Sequence, residues 1–316
     1  MANQFLTAQV IARQALANLY ETTVMASLVH RDYEPEFARK QGDAITIRKP
    51  AVFEAHEYNR QQGIIVQEAT ETSVNMTLNH FADVSFAVTS EDMTLKIEDF
   101  DEQLLTPAME AISQKIDNDL LLLRDDIVQE VGGVAENVAG EDYNYPGGLY
   151  PYSDSRVLVE AGALLSRKNV PLSQRSVVVG PTTQARWTAE KTWRQADKRG
   201  STEGLLEASM GGRVSGFDPY MTQNVGQPAQ SPAPGQPTTE VNLAFHRTAF
   251  ALAFRPLELP KGAQNAAIMN YKGFALRVIY GYDQDKKQDV VSIDTLYGAK
   301  TLDANRAVLI KGADAA

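Results

Sequence analysis

Residues 97–133 read IEDFDEQLLTPAMEAISQKIDNDLLLLRDDIVQEVGG, and within them Leu105, Met109, Ile112, Ile116, Leu120, Leu123 and Ile127 recur at spacings of three and four. That period lays one apolar stripe along a helix of 3.6 residues per turn. Pro107 suits the first turn behind a Thr106 cap, or a kink if the helix starts near Asp99, and Gly132-Gly133 ends it. At about 1.5 Å per residue, a helix from Pro107 to Val131 is a rod of roughly 36 Å. An elongated subunit needs such a rod more than a small domain does. Asp117 and Asp119 stand two apart on it, so they point to different faces and read as a solvated flank rather than an acid/base pair.

Upstream the period changes to two. Ala44-Ile45-Thr46-Ile47, then Val74, Met76 and Leu78, then Val84, Phe86 and Val88 alternate as half-buried strands do. Between the first two strands lies PAVFEAHEYNRQQGIIVQEATET (50–72), polar or charged apart from Ile64-Ile65-Val66. A connection this long has no core of its own, and a two-stranded ribbon is marginal alone, so the segment must lie on something else. Farther upstream, Thr7 caps an expected amphipathic helix to about Leu28, with Ile11, Ala15 and Leu19 every four residues.

Downstream, Ser153 is expected to cap a helix carrying Val157, Leu158, Ala161, Leu164 and Leu165. Ser176 to Val179 reads as a buried strand, and Thr183 opens a helix that runs to Lys198-Arg199-Gly200. These elements suggest a small α/β lobe between about 134 and 222. GQPAQSPAPGQPTTE (226–240) reads as an extended exposed loop. Strands are expected over Leu243 to Phe254, over Ala275 to Tyr280 paired through DQDKKQD with Val290 to Leu296, and over Ala307 to Lys311.

The 316 residues are 43% hydrophobic and 22% charged, an ordinary globular mix rather than a disordered one. Thirty Lys and Arg against forty Asp and Glu leave a formal charge of -10, the wrong sign for a protein that grips nucleic acid by neutralising phosphates. No cysteine is present, which removes disulfides, thiolate metal sites and thiol nucleophiles. No apolar run approaches 18 residues and the start lacks a basic leader, so the expectation is a soluble, unexported, intracellular chain.

Catalytic patterns are missing too. His30, His56, His80 and His246 form no chelating pair, and Asp283, Asp285, Asp289 and Asp294 lack the turn glycine and closing Glu of a calcium loop. Gly298-Ala299-Lys300-Thr301 lacks the earlier glycine of a phosphate loop and reads as a turn; Gly211 to Gly216 misses the dinucleotide pattern. Trp187 and Trp193 are six apart, so at most one belongs in a core, and the nearby Arg186, Lys191, Arg194, Lys198 and Arg199 read as a solvated helix. No catalytic, cofactor or metal site emerges. What emerges is a shape: an amphipathic arm, a coreless β excursion, a rod and a lobe. Burying ~400 Å² of apolar arm on another subunit is worth ~10 kcal/mol gross before ordering and association costs.

The runs AITIRKP (44–50), ETSVNMTLNHFADVSFAVTSEDMTL (71–95) and IEDFDEQLLTPAMEAISQKIDNDLL (97–121) resemble the major capsid proteins of tailed double-stranded-DNA phages. The branch is that of the Hong Kong 97 capsid fold which includes the coat protein of Salmonella podoviruses. SVVVGPTTQARW (176–187), GRVSGFDPYMTQNV (212–225) and NLAFHRTAFALAFRPLELP (242–260) are similar to it as well. The resemblance implies an α+β fold. Its parts would be an N-arm (1–43), an extended E-loop with flanking strands (44–90), and a peripheral domain with a spine helix from about Asp99 to Val131 (91–133). An axial domain (134–240) and the peripheral β strands with the C-terminus (241–316) would complete it. Podovirus relatives carry an inserted domain in the axial region; here only the 226–240 loop corresponds.

The resemblance further implies a subunit of pentamers and hexamers in an icosahedral head. With an E-loop strand at Ala44 there is no room for a built-in scaffold, so a separate scaffolding protein is expected. A portal protein is a further implied partner, a decoration protein an optional one, and DNA would be held by confinement only, with no cofactor and no membrane. Assembly would take place in the host cytoplasm and the product would be the virion. Arg48, Lys49, Glu54, Glu57, Arg60 and Glu68 are candidate charges for contacts across subunits, and Ile64, Ile65 and Val66 the apolar anchor. Two alternatives stand beside this reading: an encapsulin-type nanocompartment, and a monomeric α/β enzyme with an unrecognised site.

Overall fold

Alternation along a few strands feeds three separate apolar cores, and that division sets the architecture. The structure, a computed structural model, describes residues 24–31, 44–49, 53, 55–58, 60–61, 66, 72–89, 105–133, 150–190, 212–260, 265–271, 274–283, 285–286 and 288–315. In chain order it holds helix α1 (Met25–Leu28), strands β1 (Ala44–Lys49), β2 (Thr72–Thr77) and β3 (His80–Thr89), helix α2 (Thr106–Leu122) and strand β4 (Glu130–Val131). Helix α3 (Val157–Arg167), strand β5 (Arg175–Val179), helix α4 (Pro181–Ala189) and strands β6 (Asp218–Met221), β7 (Asn242–His246) and β8 (Phe250–Arg255) follow. Strands β9 (Asn265–Tyr271), β10 (Phe274–Asp283), β11 (Gln288–Thr301) and β12 (Ala307–Ile310) complete it.

One sheet runs β3-β11-β10-β9, all antiparallel, and β8 pairs the far end of β11. Leu296 faces Phe81 of β3 on one side and Arg255 of β8 on the other, so β8 continues the edge that β10 begins. The expected hairpin is present, with Val278 opposite Ile293. The inner face, with Phe250, Leu252, Phe254, Leu276, Val278, Val291 and Ile293, joins Leu105, Met109, Ile112, Ile116 and Leu120 of the long helix in the largest core.

A second sheet runs β4-β12-β7-β5-β6. Val178, Leu243, Phe245 and Leu309 enter the first core, whereas Val177, Val179, Ala244, Val308 and Ile310 meet α3, Trp187 and Phe217 in the second. A sheet covered on both faces needs apolar residues at every position, which is why SVVV, NLAF and AVLI do not alternate. The third core lies on the outside of the first sheet. Ala251 and Ala253, the small alternates of FALAFR, receive Ile45, Ile47 and Met76 of the β1–β2 ribbon.

Several expectations need correction. Helix α2 stops at Leu122, a 3₁₀ turn follows over Leu123–Asp126, and Ile127 is extended, so the rod is about 25 Å long rather than 36 Å. The chain is pulled straight because Glu130–Val131 pairs in parallel with β12, a use that suits the β-branched Ile127, Val128 and Val131. Gly132 therefore ends a strand, at φ 96°, where a Cβ would stand 2.9 Å from the Lys311 carbonyl. Thr106 already lies inside the helix, with Leu105 as its N-cap residue.

Ser153 does not cap α3, which begins at Val157; instead the Glu190 carboxylate accepts from Ser155 N and Ser155 Oγ, both at 2.6 Å. Helix α4 starts at Pro181 and ends at Ala189 because Glu190 turns extended. Its first turn is capped from across the lobe: Glu240 accepts from Thr182 N at 2.9 Å and from Thr183 N and Oγ1 at 2.8 Å. Trp187 is fully buried; Trp193, Lys191, Arg194, Lys198 and Arg199 lie outside the described residues, as does the expected N-terminal helix before residue 24.

The single strand expected from Leu243 to Phe254 is two strands in two sheets, broken by a 3₁₀ turn at Arg247–Ala249. The His246 ring caps that turn from Nδ1, accepting from Thr248 N. The 226–240 loop is mostly exposed but tied back: Gly226 bridges Val241, and Gly235 N donates to Ala315 O while Ala315 N donates to Gln236 O. Strand β9 had no sequence signal. Asp294 is buried in a pair with Arg277 at 2.7 Å, far from any calcium-loop role.

The segment Gly298 to Thr301, read as a turn, is the end of β11. A Cβ at Gly298 would overlap the Thr77 carbonyl oxygen and come within 3.2 Å of Leu78 Cα, so glycine lets the ribbon lie flat on the sheet. Gly298→Ala should cost about 1–3 kcal/mol by overpacking. Urea denaturation should show the lower midpoint, and limited proteolysis should show new cleavage between residues 44 and 77.

Candidate assembly sites: the roots of the two limbs

Two carboxylates of α2, both expected in solvent, are buried: Asp117 is 1% exposed and Asp119 7%. Two residues on a helix are separated by about 200° in azimuth. Each acid therefore faces a different neighbour: Asp117 the segment from Val24, and Asp119 the junction between the β1–β2 ribbon and the first sheet.

Asp117 faces the N-terminal segment. Its carboxylate accepts from Val24 N at 3.1 Å and Met25 N at 3.0 Å, holding the first turn of α1. Met25, Ala26 and Val29 then enter the main core. His30 bridges Ala251, with His30 N donating to Phe250 O and Leu252 N donating to His30 O, each at 3.0 Å, which adds one residue of pairing to the edge of β8. The Arg31 guanidinium lies 4.3 Å from the Phe274 ring centre. Burial pushes the Asp117 carboxyl up to about 6, against the lowering pull of the Val24, Met25 and Ala26 amides.

Asp119 faces the ribbon. Tyr297 Oη donates to it at 2.6 Å, Lys115 Nζ at 2.6 Å, and His80 Nδ1 stands 3.2 Å away. His80, the first residue of β3, also stacks on Tyr297 at 5.3 Å between ring centres. Burial, and then the hydrogen bond to Asp119, push the Tyr297 hydroxyl well above its usual range. The turn from ribbon to sheet is thus held on one side by this cluster and on the other by the close approach at Gly298.

Beyond that root, Phe53 is 60% exposed, Tyr58 70% and Val66 87%. Arg48, Glu57 and Arg60 are exposed as well, and the backbone of Lys49 pairs opposite Thr72. Glu54, Ile64, Ile65 and Glu68 lie outside the described residues. Sequence reasoning missed Asp117, Asp119, His80, Tyr297 and Gly298; the available signal was two acids beside the apolar stripe of a helix whose other polar positions are longer or uncharged. Among the described residues no three metal-binding side chains come together, and no helix is long and apolar enough to cross a membrane.

Two measurements test the roots. Because the folded Asp117 takes up its proton at about 6 rather than 3.8, its contribution to stability is full below about pH 3.8 and is lost as pH rises through about 6. Asp117→Asn should remove that fall, which is on the order of 3 kcal/mol, from urea unfolding compared at pH 4 and pH 7. Asp117→Ala should lose the same fall but start lower, costing about 1–3 kcal/mol at pH 4, where two amides lose their acceptor, and correspondingly less at pH 7. Tyr297→Phe should cost about 1.5–3 kcal/mol, the value of a buried hydrogen bond to a charged acceptor.

Comparison with known proteins places this architecture. A family model described as P22 coat protein, gene protein 5, matches residues 1–252. No curated protein matches the sequence. Among solved structures, one from Mycobacterium phage Che8 aligns with a TM-score of 0.65 at 19% identity, over 91% of this chain and 90% of that one. The capsid structure of the cyanophage P-SCSP1u aligns with a TM-score of 0.60 at 10% identity, over 100% and 91%. A virus-like particle from Pyrococcus furiosus aligns with a TM-score of 0.52 at 10% identity, over 96% and 98%. The fold is the Hong Kong 97-type phage capsid fold, and with four-fifths of its length matched by the family model the chain belongs to the P22 coat protein family, the shell-building major capsid proteins of tailed phages.

Proposed function

We propose that the chain closes an icosahedral phage head by laying residues 44–90 over a neighbouring copy as an E-loop and residues 1–43 as an N-arm. In this reading 91–133 and 241–316 are the peripheral domain, and 134–240 the axial domain that meets its copies at the centre of each pentamer and hexamer. The observation that carries it is the ribbon: rooted by a core of its own, yet carrying Phe53, Tyr58 and Val66 at 60%, 70% and 87% exposure. Large apolar side chains left in solvent along one connection point to a partner.

Arg48, Lys49, Glu54, Glu57, Arg60 and Glu68 then supply charges across the contact, with Ile64, Ile65 and Val66 as its apolar anchor. A separate scaffolding protein sets the curvature, a portal protein takes one vertex, and a decoration protein is an optional addition. The place of assembly is the host cytoplasm and the product is the virion. Membership of a coat family supports a structural role rather than a catalytic one. The charge of -10 fits a wall around confined DNA, which needs no adhesive. An encapsulin-type compartment shares this fold, but the family match is to a phage coat.

Replacing residues 54–68 by a short turn should leave a folded subunit with an unchanged circular dichroism spectrum that forms no closed shells by electron microscopy. Shells at the parental yield would sink the proposal. A sharp monomer peak under all assembly conditions, together with a turnover activity, would favour the enzyme, and particles filled with protein cargo instead of DNA would favour the compartment.

A further inference from the structure

On the outer face of the first sheet, beside the ribbon root, lies an open groove of about 490 Å³. Its walls are Leu78, Pro256, Leu257 and Leu296, and Arg255 and Glu258 border it. The wall that follows β8 is fixed from below: Arg277 donates to Glu258 O at 2.7 Å while its other nitrogens hold the buried Asp294 at 2.9 and 2.7 Å. The groove is therefore formed before anything enters it. Its volume is in the range that accepts a small organic molecule, hence an aromatic side chain with its neighbours.

We propose that this groove receives the exposed apolar residues of the ribbon connection of a neighbouring copy, with Tyr58 as the entering side chain. The assignment rests on the E-loop reading above and names the surface on which that loop lands. Knob and hole lie on different parts of one chain, and the 70% exposure of Tyr58 shows that this side chain does not fill the groove of its own chain. A contact between two unlike patches of identical subunits is head-to-tail, and repeated by rotation it closes rings. The charges agree: Glu57 and Arg60 stand on either side of Tyr58 in sequence, and Arg255, Arg277 and Glu258 line the groove, so an orientation that brings Glu57 to the arginines and Arg60 to Glu258 is favoured over the reverse.

The absence of native cysteine makes the test direct. Tyr58→Cys carrying a benzophenone maleimide is irradiated in assembled shells, and the adducts are mapped by mass spectrometry. The expected adducts join residue 58 of one copy to the stretch 255–259, Leu78 or Leu296 of another. A second variant, Leu257→Arg, should cut that yield roughly tenfold, the loss expected from one well-buried contact residue. Adducts elsewhere on a neighbouring copy would overturn the groove assignment and leave the E-loop reading standing. Adducts confined to the same chain would overturn both.

Discussion

A 17-residue helix that presents a buried carboxylate on each flank is the constraint on which the rest of this subunit depends. Its apolar stripe is the floor of the main core, and that alone would make it necessary. The acids add direction. An ionised carboxylate out of water is costly unless hydrogen bonds replace the lost solvation, and here the replacements come from two distant parts of the chain. Val24 and Met25 meet Asp117, and Tyr297 meets Asp119, across sequence separations of 92 to 178 residues. Helix α1 and the base of the ribbon are thus anchored by contacts that are expensive to break on one side only. Asp117 meets its cost only partly, which is why its proton is held to about pH 6.

The β layers divide the remaining work by side-chain size. In FALAFR the large residues at 250, 252 and 254 face the helix and the alanines at 251 and 253 face the ribbon, so β8 is buried twice with different volumes. Gly298 continues that logic on β11, where even a methyl group is too much. The two sheets are joined by neighbouring 3₁₀ turns at Arg247–Ala249 and Ala304–Arg306, and Arg306 Nη1 donates to Thr248 Oγ1 at 2.6 Å between them. Both crossings therefore share one cross-brace, and the lobes meet through a shared core rather than a linker.

Features set by local period were readable in advance. The stripe from Leu105 to Leu120, the alternation through Met76 and Leu78 and the hairpin around 283–288 depend on neighbours in sequence, and the structure contains them. What went astray depends on partners remote in sequence. Spacing shows that Asp117 and Asp119 look in different directions but not what covers each. The run from Ile127 to Val131 keeps a helical period and is nonetheless drawn into a strand by β12, some 180 residues later. Gly298-Ala299-Lys300-Thr301 has turn composition, and only the ribbon resting on it explains the glycine. His246 to Ala249 looks like uninterrupted strand because the break is a change of sheet, which costs no apolar residue. The groove proposed to receive a neighbour's Tyr58 was unreadable for the same reason: Leu78, Leu257 and Leu296 come together only through folding.

A shell of identical subunits has to be stable as a whole and correctable while it forms, which limits how much any one contact contributes. On the proposed docking, an exposed aromatic and a few aliphatic side chains entering the groove would release apolar surface at about 25 cal/mol per Å², most of which is cancelled by ordering and association. The surplus per contact is small, so a misplaced subunit leaves. On the proposed E-loop reading, each subunit of a closed ring would be held through its own ribbon connection and through the one it receives, and the effective concentration of the second contact would turn two weak interactions into a durable one. Rigid roots matter for this arithmetic: a ribbon free to swing would spend the surplus on ordering, whereas the β1–β2 ribbon is fixed at its base by Asp119, Tyr297 and Gly298.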